Sequence, residues 1–246
     1  MLLTIIDSGS QGNAYLLHNE GEALLIECGV KFSEIKEALN FDFSKVVGCL
    51  VTHEHLDHCK SVNYVLDAGI NVWMSIGTFR KIKLKTWKFP FLTEDKHRFI
   101  LGNFEITSFL VEHDAEEPLG FYIYHKEMGS IIFLTDSFYV KYNFSDLTNI
   151  MLEVNYDQDI LDRNTESGNL PSIVKNRVTR SHMSLSTAKE LLLANDISKV
   201  NNIVLLHLSV GNSDSRKFKK EIEELTGKNV VIATKGLTID FNKTSF

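Results

Sequence analysis

Four side chains able to hold a metal ion fall close together in the stretch VTHEHLDHCK: His53, His55, Asp57 and His58. Imidazole and carboxylate are donors that suit zinc or manganese. In an extended segment alternate side chains share a face, so His53, His55 and Asp57 are expected on one side, with His58 projecting elsewhere as the chain turns into a helix. One short turn could then feed two adjacent ions. A solvated, mildly acidic loop is the bland alternative, but it offers no reason for three imidazoles to crowd together.

A binuclear site needs more than four ligands, and further His or Asp residues stand at the ends of apolar runs. His113 follows ITSFLVE, Asp136 follows SIIFLT, and His207 lies in NNIVLLHLS. Each alone is as readily a hydrogen-bonded core residue. With the cluster they complete a set. Cys28, Cys49 and Cys59 are odd in number and sit in apolar surroundings, which suits reduced thiols in a cytoplasm rather than a disulfide framework. No cysteine stands out as a ligand, which argues against a purely structural zinc site.

The elements that must position these residues follow from the apolar pattern. Short apolar runs at Leu2–Ile6, Ala14–His18 and Glu22–Glu27, separated by SGSQGN and NEGE, read as a meander of strands. FSEIKEAL has helical spacing, and VVGCLVT is a buried strand with the histidine cluster at its carboxyl end, where ligand sites gather in open α/β sheets. Hairpin-like strands occupy Phe99–Phe133, and Ile150–Val154 is another strand. Helices are expected at Ser184–Asn195 and Ser213–Thr226, the second closed by Gly227, with strands at Ile203–Leu208 and Val230–Ala233. The pattern predicts an α/β (α+β) fold of two packed sheets with helices outside, in one domain over residues 1–246.

The N-terminal MLLTIIDSGSQGN has no basic region before its apolar run, and no segment approaches the ~20 apolar residues that span a bilayer. Neither secretion nor membrane spanning is expected. A net charge of −6 argues against non-specific binding of nucleic acid over the whole surface but leaves room for a local basic groove.

THEHLDH, EHD, TDS and LHLS, in that order and with these gaps, resemble the metallo-β-lactamase superfamily. Within it, DSGSQGNAYLL, VEHDAEEPLGF, LTDSFYV, GNLPSIVKNRVTRSHMS and HLSVGNSD are similar to the YycJ (WalJ) branch, from about Leu3 to about Asp240. The stretch from Ser181 to Ser209 is also similar to the late region of tRNase Z-type phosphodiesterases. The resemblance implies a four-layer αββα sandwich. It implies two divalent ions, Zn or Mn, one held by His53, His55 and His113 and one by Asp57, His58 and His207, with Asp136 bridging. Asp57 and His182 would be catalytic, His182 as proton donor to the leaving oxygen.

Two departures stand out. Glu27 in LLIECGV replaces the usual aspartate, so the support of the metal-binding turn must differ. Tyr156 in EVNYD stands where the branch often has histidine, and Glu153, Asn155 and Asp157 are not counted as catalytic on that account.

A bound divalent ion brings a water's pKa to ~7, and two ions can also stabilise charge on a phosphodiester in transit. Lys175, Arg177 and Arg180, just before His182, are placed to hold a phosphate. RKIKLKTWKF mixes cations with Trp87 and Phe89, as a nucleic-acid contact or as a solvated helix face with apolar anchors. SGSQGN could offer backbone N–H groups to a phosphate, or simply form a turn. The expected activity is a dinuclear, metal-dependent phosphodiesterase, foremost an exonuclease-like enzyme on DNA or RNA. The alternative is a hydrolase of cyclic nucleotides or other small phosphodiesters, which often closes its pocket as a homodimer. A third reading is a metal-stabilised binding module without catalysis, which the complete ligand set argues against.

Overall fold

The computed structural model describes residues 1–244. Its first half grows from a meander: β1 (Leu2–Asp7), β2 (Ala14–His18) and β3 (Ala23–Ile26) pair antiparallel through the two expected turns. Pairing then becomes parallel, which requires crossovers. Helix α1 (Phe32–Ala38) leads to β4 (Val46–Leu50), and α2 (Leu56–Cys59) with α3 (Val62–Asp67) leads to β5 (Val72–Ser75). Helix α4 (Ile76–Lys81) and an irregular segment lead to β6 (Phe91–Thr93).

The second half repeats the plan. Strands β7 (Arg98–Leu101), β8 (Phe104–Leu110), β9 (Leu119–His125) and β10 (Gly129–Leu134) are antiparallel. Strand β11 (Leu147–Glu153) then pairs parallel with β10. Helices α5 (Gln158–Glu166), α6 (Ser172–Ser181) and α7 (Leu185–Ala194) cross to β12 (Asn202–Leu206), and α8 (Ser215–Thr226) crosses to β13 (Asn229–Ile232). The last strand, β14 (Thr238–Asp240), returns to pair with β1. Two seven-stranded sheets result, ordered β14-β1-β2-β3-β4-β5-β6 and β13-β12-β11-β10-β9-β8-β7.

Three apolar layers hold the sheets and helices together. Between the sheets, Leu3, Tyr15 and Leu24 meet Phe121, Phe133 and Met151, with Tyr15 and Phe133 edge to face at 5.4 Å. Outside the first sheet, Leu25 packs with Ile35, Val62 and Val65; outside the second, Ile150 and Leu205 pack with Leu192 and Phe218. Central strands covered on both faces favour apolar residues at successive positions, which is why β3 reads as ALLI and β10 as IIFL after Gly129 and Ser130. This is the four-layer αββα sandwich.

Expected elements occur within a few residues of their places. Ser184 caps α7, its Oγ accepting from the Thr187 N–H. Helix α8 starts at Ser215 because Asp214, rather than Ser213, accepts from the Arg216 and Lys217 N–H groups, and it ends where Gly227 takes φ 65°. Helices α5 and α6 have no counterpart in the apolar pattern. Each buries one residue, Leu161 and Ser181, so neither carries an apolar stripe. The strand order brings the carboxyl ends of β8, β10, β11 and β12 to one edge, and the turn after β4 meets them there.

Candidate metal centre

The turn after β4 is held by backbone. Asn13 N–H donates to the Asp57 carbonyl at 2.7 Å, Cys28 N–H to the His58 carbonyl at 2.9 Å, and Gly29 N–H to the Asn13 carbonyl at 2.9 Å. Gly29 passes so close that a Cβ there would sit 1.7 Å from the Asp57 carbonyl oxygen. Asn13 finishes the clamp: its Nδ2 reaches the Gly9 and Asp57 carbonyls at 3.1 and 3.2 Å, and its Oδ1 accepts from the Gly9 N–H. The Ser8–Asn13 loop thus commits the Gly9 and Gly12 N–H groups internally, the latter to the Gly9 carbonyl, and serves the turn rather than a phosphate.

Since α2 begins at Leu56, Asp57 and His58 are helical neighbours, and Asp57 does not share a face with His53 and His55 as strand alternation suggested. Three overlapping clusters form instead. His53, His55, His113 and Asp136 make one, Asp57, His58, Asp136 and His207 a second, and Asp136, Glu153, His182 and His207 a third, the donor atoms of each lying within 4.8 Å of one another. Asp136 belongs to all of them. Donors about 2.1 Å from a shared ion at tetrahedral corners stand about 3.4 Å apart. His53 Nε2 to His55 Nδ1 is 3.0 Å, His113 Nε2 to His55 Nδ1 3.2 Å, His58 Nε2 to Asp136 Oδ2 3.3 Å and His207 Nε2 to Asp57 Oδ2 3.4 Å. The spacing and the donor types fit divalent ions.

Outer partners fix which nitrogens face inward. His113 Nδ1 donates to the Ser181 carbonyl at 2.7 Å, and His53 Nδ1 lies 2.9 Å from Thr52 Oγ1, freeing both Nε2 atoms. Thr52 Oγ1 in turn donates to Glu27 at 2.5 Å, and Glu27 Oε1 stands 3.4 Å from His58 Nδ1. The longer carboxylate at position 27 therefore still supports the turn. Its backbone is left-handed at φ 62°, as are Asp136 at 41° and His207 at 51°. Strained non-glycine residues gathered around one centre mark a site whose geometry the rest of the fold enforces.

The electrostatics favour cations. Burial works against charge throughout, yet His207 and His58 hold the Asp136 carboxyl well below its usual range, and His207 with His58 does the same for Asp57. Against the same burial, Asp136, Asp57 and Glu153 push His207 up to about 10. Buried beside His58, His53 is pushed well below the usual imidazole range and stays a neutral donor. Against burial, Asp136 raises His58 as it does His207, and a divalent ion would satisfy the same carboxylates.

A family model described as the metallo-beta-lactamase superfamily matches residues 7–145, more than half of the chain. The chain belongs to that superfamily. It is 27% identical over 255 residues to exodeoxyribonuclease WalJ of Streptococcus pneumoniae serotype 2, covering 97% of this chain and 91% of the relative. Its fold is similar to that of the metallo-beta-lactamase fold protein YhfI from Bacillus subtilis, with a TM-score of 0.73, 17% identity and coverage of 97% and 99% of the two chains. The short form of human tRNase Z superposes with a TM-score of 0.65 at 16% identity, covering 98% and 99%. No helix among the described residues is long and apolar enough to cross a membrane.

His182 sits at the rim of the donor clusters, its side chain 11% exposed, with Nδ1 2.7 Å from Glu153 Oε1 and 4.0 Å from Asp136 Oδ2. Burial opposes protonation of the ring, but Glu153 raises its pKa above the usual value. Glu153, set aside in the sequence, is fully buried and also accepts from the Ser137 N–H at 2.8 Å. It ends an apolar strand with a carboxylate, the signal by which Asp136 was found. Asn155 Nδ2 donates to the His207 carbonyl at 2.9 Å and lies 3.2 Å from His207 Nδ1, so it braces that ring from behind, whereas Asp157 caps α5. Of the basic trio, Lys175 is drawn away to Asp162 on α5 at 2.6 Å. Arg177 leans over the site edge, 3.8 Å from Asp114, which itself lies 3.3 Å from His113 Nε2. Arg180 is exposed nearby.

Proposed function

We infer that this chain is a metal-dependent phosphodiesterase of the nuclease type, hydrolysing DNA or RNA. The observation that carries the reading is the joining of two donor clusters through Asp136 with an acid-competent histidine at their rim. The relationship to a protein named exodeoxyribonuclease over 97% of this chain supports a nucleic-acid substrate. His53, His55 and His113 would hold one ion and Asp57, His58 and His207 a second, zinc or manganese, with Asp136 shared. Such ions supply Lewis-acid charge and make water a nucleophile near neutral pH.

The chain's own residues do the rest. Glu153 fixes the His182 proton at Nδ1 and leaves Nε2 to carry the second proton outward, toward the oxygen that departs from phosphorus. Arg177 and Arg180, on the helix that ends at His182, place positive charge where a phosphate backbone would enter; Lys175 is committed to Asp162. The test is hydrolysis of end-labelled single- and double-stranded DNA, RNA and a panel of cyclic nucleotides by metal-loaded protein, with Asp136→Ala as control. Polymer cleavage lost in the variant supports the reading. Cleavage of cyclic nucleotides alone overturns it in favour of a small-substrate enzyme.

A further inference from the structure

RKIKLKTWKF is not a helix face, because α4 ends at Lys81. Beyond it the side chains alternate. Lys81, Lys83, Lys85, Trp87 and Phe89 are exposed, while Ile82, Leu84, Thr86 and Lys88 are half-buried. Ile82 and Leu84 pack into the layer beneath the first sheet, and this anchors the row. The outer set forms a ridge of lysines leading into two rings, Trp87 82% and Phe89 70% exposed.

The ridge is tied to segments that carry the metal centre. On one side, α3, which follows Asp57 and His58, holds it: Asn63 Oδ1 accepts from the Lys85 N–H at 2.6 Å, and Asp67 Oδ1 accepts from Thr86 Oγ1 at 2.5 Å. On the other, Gly77 N–H donates to Glu117 at 2.7 Å and Lys81 pairs with Glu116 at 2.9 Å, both in the loop that begins at His113. These contacts hold the ridge in place within the fold itself.

Its chemistry selects one occupant. From Ser75 to Thr93 the chain has five cations, Arg80, Lys81, Lys83, Lys85 and Lys88, and no carboxylate, within a protein of net charge −6. Among the described residues only Lys81 of the five forms an ion pair. Lys88 Nζ lies 5.8 Å from the Trp87 ring centroid. Cations beside open ring faces suit a polyanion with flat, unstacked bases, which a single strand offers and a duplex does not. A second copy of the chain packed ridge to ridge would set lysine against lysine.

We propose that the Lys81–Phe89 ridge is a single-stranded nucleic-acid track, leading from the loop that begins at His113, which Lys81 meets, down to the start of β6, where the two rings stand. This rests on the phosphodiesterase reading for its role but not for its detection. The chain has two tryptophans, and Trp73 is stacked between Phe91 at 5.0 Å and Phe99 at 4.1 Å. Intrinsic fluorescence that responds to stacked bases therefore reports on Trp87.

Titration with oligo-dT should quench that fluorescence, with affinity falling steeply as salt rises. Trp87→Ala/Phe89→Ala and, separately, Lys83→Glu/Lys85→Glu should each weaken oligo-dT binding at least tenfold by anisotropy. Both should raise KM for a long oligodeoxynucleotide to a similar degree and leave hydrolysis of bis(p-nitrophenyl) phosphate unchanged. Unaltered oligo-dT binding in both variants overturns the track. So does loss of self-association in both variants with no change in oligo-dT binding, or binding of the ridge to anionic vesicles but not to oligo-dT. Quenching by oligo-dT without polymer cleavage by the wild-type protein supports the track while defeating the proposed function.

Discussion

Glu153 Oε1 and His182 Nδ1 are 2.7 Å apart across a strand end and a helix end separated by 29 residues of chain. The pair makes His182 an imidazole with one proton fixed and the other available. His182→Ala should lower kcat on a polymer by about 10²–10⁴-fold, the usual worth of general acid catalysis. A leaving group that needs no proton should escape the penalty, so bis(p-nitrophenyl) phosphate hydrolysis should fall far less. Equal loss on both substrates would make His182 a structural residue of the centre instead.

Glu27 supports the turn through Thr52 and faces His58 Nδ1 at 3.4 Å. Glu27→Gln keeps the size and removes the charge. Outer partners of ligands typically contribute 10–100-fold to metal affinity, so the variant should lose zinc to a competing chelator at correspondingly lower chelator concentration. Unchanged affinity would mean that Thr52 alone orients His53.

The candidate donors were legible in the sequence because each either lay in one tight string or ended an apolar run, as His113, Asp136 and His207 do. The grouping of Asp57 was legible only through the resemblance, since strand alternation fails where α2 begins one residue earlier. Glu153 carried the right local signal, but its partner is remote in the chain and Tyr156 drew the segment away from the expected pattern. Helices α5 and α6 left no trace in the apolar spacing because they bury almost nothing. Likewise the ridge from Lys81 to Phe89 could not be told from a helix face until α4 was seen to stop.

Backbone contact between Gly29 and the Asp57 carbonyl leaves no room for a methyl group. Gly29→Ala must push the turn away or distort the chain beside Cys28, and overpacking of this kind costs about 1–3 kcal/mol. Gly211→Ala, with nothing within 4 Å of the added carbon, is the matched control and should stay within about 0.5 kcal/mol in urea unfolding. The Gly29 variant should also bind metal more weakly, because the shifted carbonyl belongs to Asp57, a donor of the proposed second ion site. Equal stabilities for the two variants would refute the close approach.

Asp157 joins two helices of the second half: Oδ1 accepts from the Asp159 and Ile160 N–H groups of α5, and Oδ2 meets Lys217 Nζ of α8 at 2.6 Å. Burial alone would raise its pKa, but Lys217 and the helix N–H groups outweigh it and the folded value lies below the unfolded one. The charge therefore stabilises the fold above the unfolded pKa of about 4 and ceases to do so as pH falls through the folded value. Asp157→Asn keeps a capping oxygen and removes the ion pair, so the expected loss is about 1 kcal/mol or less at pH 7. That difference between wild type and variant should hold from pH 7 to pH 5 and shrink below pH 4 in urea unfolding. A difference that instead persists unchanged to pH 2 would assign the contribution to packing around α5 rather than to the charge.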